Sequence, residues 1–183
     1  MPPRSILMKL AKLLALVLAM AAGAAAGAET RDAEDHFFNL NGGDLRVEAG
    51  DARSSGKKAL LLMFEQDGCP GCIYMKQNVL NRVDVQNFYR ERFLNFSINI
   101  FGSVPIRDFA GRELTEKSFA QAVGIRATPT FLFYDLAGNE IVRIAGPVRS
   151  AGDFMLLGEF VASGAYKTRK FAEYLQQRKN KGS

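Results

Sequence analysis

Apolar positions fall into short blocks of two kinds, continuous or periodic, separated by polar breaks. Ala59-Leu60-Leu61-Leu62-Met63-Phe64 is apolar throughout and of strand length. Such a run fits a central strand covered on both faces. Leu94, Phe96, Ile98 and Ile100 alternate with Asn95, Ser97 and Asn99, which predicts a second strand. Thr130–Tyr134 and Glu140–Ala145, on either side of Asp135-Leu136-Ala137-Gly138-Asn139, read as a β-hairpin, and a loop or smaller hairpin is expected around Val104–Gly111. Helical patterns lie between these. Asp44 is placed to cap a short helix carrying Leu45, Ala49 and Ala52, after a break at Asn41-Gly42-Gly43. Ile73 to Asn81 has helical composition, with Pro70 in a first turn that tolerates proline. Thr115 caps a helix with Phe119, Ala122 and Val123 on one side, stopped by Gly124. Phe154, Leu157 and Val161 mark another, ended by Gly164, and Thr168 opens a last one bearing Phe171, Tyr174 and Leu175. Alternation first and a hairpin last predict an α/β fold, a mixed central sheet with helices on both faces.

The chain has 183 residues, enough for one domain with short extensions. Apolar residues at 48% and charged ones at 23% exclude wholesale disorder. Residues 1–28 read as a signal peptide. Arg4, Lys9 and Lys12 form a basic n-region, Leu13 to Met20 an apolar core, and Ala26-Gly27-Ala28 a small-residue cleavage site. The uncharged run is shorter than the roughly 20 residues that span a bilayer. The expectation is a periplasmic or otherwise exported protein that is soluble after cleavage. The remaining divisions are an N-terminal extension over 29–56, a compact domain over 57–178 and a basic tail over 179–183. The net charge of +5 falls to 21 − 19 = +2 without the three basic groups of the leader, so no nucleic-acid footprint is expected. No exposed heptad argues for a dimer, and a monomer is expected.

The two cysteines, Cys69 and Cys72, stand at C-x-x-C where the apolar strand turns into a helix. Random placement would give that spacing on the order of one time in a hundred, so it carries information. At a helix N-terminus Cys69 would face orphan N–H groups and the positive dipole end, both of which stabilise a thiolate, the reactive form. Cys72, one turn on, would resolve a mixed disulfide on Cys69. Competing readings are a structural disulfide, which would close too small a loop to add much stability, a metal site, for which His36 is the sole histidine, and two inert thiols, which an oxidising compartment disfavours.

These residues resemble the thioredoxin superfamily: the apolar strand, Cys69-Pro70-Gly71-Cys72, Thr128-Pro129 and Gly146 occur in that family's order. The resemblance implies a thioredoxin-like fold, a redox-active Cys69–Cys72 disulfide, and Pro129 in cis beside the cysteines. It also implies a substrate groove formed by Thr128, Pro129 and Gly146. An extended segment would pair there by strand addition. More narrowly, Met63 to Pro70, Leu114-Thr115-Glu116-Lys117 and Val161 to Tyr166 resemble the exported SoxW-type thioredoxins associated with sulfur oxidation. That likeness implies protein disulfide or thiol substrates and an electron donor among membrane thiol transporters of the CcdA or DsbD type. Its clients would be sulfur-carrier proteins or cytochrome-maturation precursors. No organic cofactor and no metal are implied.

Two departures from the family stand out. Met63 occupies the position of its buried aspartate, so Glu65, Asp67 or water would have to relay protons, and Gly68 replaces a tryptophan. The cysteine pair and the resemblance together predict a protein-disulfide reductase. Alternatives are a periplasmic disulfide oxidase or isomerase, or a non-catalytic peptide-binding module of the same fold.

Overall fold

A computed structural model describes residues 28–181. The leader expected over 1–28 lies, apart from Ala28, outside the described residues, as do the last two positions of the basic tail. The elements run α1 (Ala33–His36), α2 (Leu45–Ser54), β1 (Ala59–Glu65), α3 (Pro70–Asn78), α4 (Val83–Arg92) and β2 (Phe93–Asn99). They continue with β3 (Pro105–Arg107), β4 (Glu113–Thr115), α5 (Glu116–Ala122), β5 (Thr130–Tyr134) and β6 (Glu140–Ala145). A helix α6 (Ala151–Ala162), a 3-10 turn (Ala165–Lys167) and α7 (Phe171–Lys181) complete the chain.

The main sheet has the order β2-β1-β5-β6, with β1 parallel to β2 and antiparallel to β5. It is the mixed sheet of a thioredoxin-like α/β fold. The apolar run of β1 is central because it has no polar face to give to water. Leu61 and Met63 pack into one cluster with α3, α4 and α6, while Leu60, Leu62 and Phe64 pack into the other with α2 and α5. β3 and β4 form a separate two-stranded hairpin whose Ile106 and Leu114 extend the second cluster.

The segment ahead of α2 docks against the first cluster. Its Ala33, Phe37 and Phe38 are buried. Two fully buried polar side chains hold it. Gln86 of α4 donates from Nε2 to the carbonyls of Arg31, Asp32 and Leu80 and accepts from the Arg31 guanidinium at 3.0 Å. Asn95 of β2 donates to the Phe37 carbonyl at 3.1 Å, while the Asn39 backbone N–H donates to the Asn95 carbonyl at 2.7 Å. The outer edge of β2 is thereby partly paired, which blunts an otherwise open strand edge.

Four local expectations change. Residues 83–92, unassigned from the pattern, form α4, whose buried face of Val85, Gln86 and Tyr89 includes a polar residue and so lacks an apolar stripe. On α5 the inward residue is Ala120, and Ala122 is exposed. Asn95 is buried because the N-terminal segment covers the face that the alternation would leave wet. The last helix begins at Phe171, because Thr168 is still bound into the preceding turn through its N–H to Ala165.

Candidate functional site

The C-terminal end of β1 delivers the chain into a tight loop, Gln66 to Gly68, in which Gly68 takes φ +69°. A left-handed conformation there favours glycine over any residue with a Cβ. Cys69 is the N-cap of α3 and Pro70 its first residue, where a missing N–H costs nothing. The Cys69 sulfur accepts the backbone N–H of Cys72 at 3.1 Å. The two cysteines form a disulfide with Cα atoms 5.3 Å apart, and both are buried. α3 has no acidic residue in its first turn, so no carboxylate opposes the helix terminus from within the helix.

Thr128–Pro129 arrives from the opposite side of the sheet, immediately ahead of β5, and its peptide bond is cis. The helix and this turn meet at Gly71. A Cβ on Gly71 would lie 2.9 Å from Cδ of Pro129 and 3.6 Å from the ring of Pro147. The Gly146 N–H donates to the Pro129 carbonyl at 2.8 Å, and Gly146 takes φ +91° at the end of β6. The structure thus brings Thr128, Pro129 and Gly146 to one place beside the cysteine pair. Beyond Pro147, the Tyr74 hydroxyl donates to the Arg149 carbonyl at 2.9 Å and the Arg149 guanidinium stands over the Tyr74 ring. That contact ties the 147–149 loop back to α3.

The two acids ahead of the cysteines separate. Asp67 is exposed at the loop. Glu65 is half-buried at the end of β1, accepts from the Ser97 hydroxyl, and lies 2.6 Å from Nζ of Lys76. Glu65, Cys72 and Lys76 line a cavity of about 150 Å³ together with Gln66, Asp67, Gly68, Ile73 and Asn99. Met63, fully buried, packs in the same cluster as both cysteines and offers them no polar group on that side.

A family model described as a thioredoxin-like domain matches residues 45–162, from the start of α2 to the end of α6. The chain belongs to the thioredoxin-like domain family. A thioredoxin-fold protein from Helicobacter pylori superposes with a TM-score of 0.59 at 23% identity, over 68% of this chain and 86% of that one. A Bacteroides thetaiotaomicron structure described as a candidate disulphide-isomerase gives 0.52 at 16% identity, over 79% and 100%. These likenesses concern the fold. A curated sequence, the forkhead box protein fkh-3 of Caenorhabditis elegans, is 40% identical over 68 residues. That match spans 37% of this chain and 15% of the forkhead protein's length.

Within this thioredoxin-like domain the arrangement holds the parts that thiol–disulfide exchange requires. One cysteine sits at the helix N-terminus, a second one turn on can attack its sulfur in a mixed disulfide and expel the partner's thiolate, and a carboxylate shares a cavity with the second. Among the described residues no cluster of three or more His, Cys, Asp or Glu side chains could hold a metal ion. No helix among them is long and apolar enough to cross a membrane. The sequence did not point to Pro147 or Lys76, nor to the contact of Gly71 with Pro129. Lys76 carried a signal nonetheless, since four residues after Cys72 on a helix is the same face.

Proposed function

We propose that the protein is a reductase of protein disulfides that works outside the cytoplasm. The Cys69 thiolate attacks a client disulfide, forming a Cys69–client mixed disulfide and releasing one client sulfur as thiolate. Cys72, deprotonated to Glu65, attacks the Cys69 sulfur. The Cys69–Cys72 bond forms, and the electron pair of the broken bond leaves on the second client sulfur. The backbone around Thr128, flanked by Pro129 and Gly146, takes an extended client segment by strand addition. The observation that carries this reading is the Cys69 sulfur at the N-cap of α3, accepting a backbone N–H.

In this reading residues 1–28 are a cleaved leader and the protein acts in the periplasm as a monomer. The oxidised pair is re-reduced by a membrane thiol transporter of the CcdA or DsbD type. Clients are sulfur-carrier proteins or cytochrome precursors, in keeping with the resemblance to SoxW-type thioredoxins. Glu65, rather than the exposed Asp67, receives the Cys72 proton.

The test is the equilibrium reduction potential of the Cys69–Cys72 pair against a glutathione redox series. A value near thioredoxin's, about −270 mV, supports a reductase. One near about −120 mV makes the protein a disulfide oxidase, and a pair that does not exchange leaves a peptide-binding module.

A further inference from the structure

The first helix touches the wall of the cysteine site through Lys76. Lys76 Nζ lies 2.6 Å from Glu65 Oε2 at the end of β1 and 2.5 Å from Glu34 Oε1 on α1. One ammonium is therefore shared by two carboxylates from different elements. The Lys76 and Glu65 side chains are 24% and 15% exposed and that of Glu34 54%, so the inner half of the triad is shielded and the outer half faces water. Lys76 is also four residues beyond Cys72 on α3, which puts the two side chains on one face of the helix, and both line the 150 Å³ cavity with Glu65. A cavity of that size and polarity has room for a few waters, each needing about 30 Å³, to carry a proton between sulfur and carboxylate.

We infer that Lys76 is a positioning residue for the resolving step, and that Glu34, from outside the C-x-x-C loop, sets the acidity of Cys72 by drawing on the Lys76 charge. This rests on the reductase reading above. Before resolution Glu34, Lys76 and Glu65 together carry one net negative charge. When the Cys72 S–H proton passes to Glu65, that carboxyl becomes neutral and the thiolate takes over the negative charge facing Lys76. The ammonium then balances Glu34 and the sulfur. Neutralising Glu34 frees Lys76 for the thiolate and makes Cys72 more acidic. Neutralising Lys76 leaves Glu65 beside the sulfur with no cation to balance it and makes Cys72 less acidic.

The remaining charged groups around this site are constant across the variants used; on the outer side they are Arg31 and Asp32, which line a cleft with Glu34 and Lys76. Asp67 lines the cavity from the loop, and Glu116 of α5 is close enough for Glu65 to act on its carboxyl. Burial acts against the Lys76 charge. Hydrogen bonds to Glu34 and Glu65 outweigh it and hold the ammonium above the ordinary lysine range, so Lys76 is a fixed cation while Cys72 titrates.

The experiment uses the full chain with Cys69→Ala, which leaves Cys72 as the sole thiol. Its titration is followed by the ultraviolet absorbance of the thiolate, which needs no reagent to reach a buried sulfur. Lys76→Met is expected to raise the pH of half-titration by about one pH unit, and Glu34→Gln to lower it by about half of one. Lys76→Arg, which keeps the charge, should stay near the parent. A triad that merely pins α1 to α3 would lower the melting temperature in both charge-removing variants and leave the titration unmoved. That result, or shifts in the same direction, overturns the inference. Glutathione exchange of the unmutated pair is measured separately. An exchanging pair with an unmoved Cys72 titration sinks this inference alone, whereas a pair that does not exchange sinks the reductase reading.

Discussion

Gly71 lies against the ring of Pro129, with room for a hydrogen but not for a methyl group: a Cβ there would come within 2.9 Å of the proline Cδ. The distance ties the helix that carries the cysteines to the turn that leads into β5. Neither partner can yield cheaply, since one is helix backbone and the other a closed ring.

Gly71→Ala should therefore destabilise the protein. Alanine gains up to about 1 kcal/mol in helix propensity. Overpacking of a filled contact costs about 1–3 kcal/mol, and the second should win. Thermal unfolding checks the sign. A variant more stable than the parent would mean that the helix and the Pro129 turn can part freely.

Cys72→Ser should abolish turnover while leaving the first attack intact. Incubated with a disulfide-bonded client, the variant should accumulate a mixed disulfide at Cys69, seen as a mass equal to the two proteins together under non-reducing conditions. Cys69→Ser should give no such species. A mixed disulfide formed equally well by both variants would mean that the helix N-terminus does not select the attacking sulfur.

Asn95→Ala should loosen the N-terminal segment. It removes the donor to the buried Phe37 carbonyl, which would then lack a partner. An unsatisfied buried carbonyl costs about 1–3 kcal/mol. Urea unfolding should report that loss, and hydrogen exchange should rise first at Asn39, whose N–H pairs with the edge of β2. Unchanged protection there would detach the segment's docking from Asn95.

Glu116 gives a pH prediction. Burial raises its carboxyl above the ordinary 4.5. The Asn99 N–H acts against that shift and the charge of Glu65 adds to it. A group that holds its proton more tightly when folded costs stability once ionised. The cost is absent below the ordinary value, grows as pH rises through the raised one, and is constant above it. Glu116→Gln should thus be more stable than the parent at neutral pH, with the difference vanishing in acid. A constant difference across the range would assign the effect to packing instead.

Most of the framework was legible because it was written in period and punctuation. The apolar run of β1, the hairpin of β5 and β6, the Asp44 and Thr115 caps and the C-x-x-C at the strand-to-helix junction are local signals, and each stands where the pattern put it. What was not legible depends on distant partners. Asn95 reads as the polar half of an alternating strand, and only the arrival of Phe37 and Asn39 makes it a core residue. Val83–Arg92 hides as a helix because Gln86 stands on its buried face, bonded to carbonyls of Arg31 and Asp32 more than fifty residues away. Glu65 was a candidate by sequence position alone. Its difference from Asp67, one half-buried against Ser97 and Lys76 and the other exposed on the loop, needed the turn of the loop to decide it.

The cysteines' placement within one helical turn has a consequence for how the protein is made. Two thiols admit a single intramolecular pairing, so oxidation cannot trap a scrambled isomer, and no reshuffling step lies between the chain and its native state. A bridge across three residues also constrains the unfolded chain very little. The scaffold, held by its two apolar clusters, should fold equally well with the bridge open or closed. A catalyst that must spend its life switching between those two forms can then do so without wagering its own stability on either.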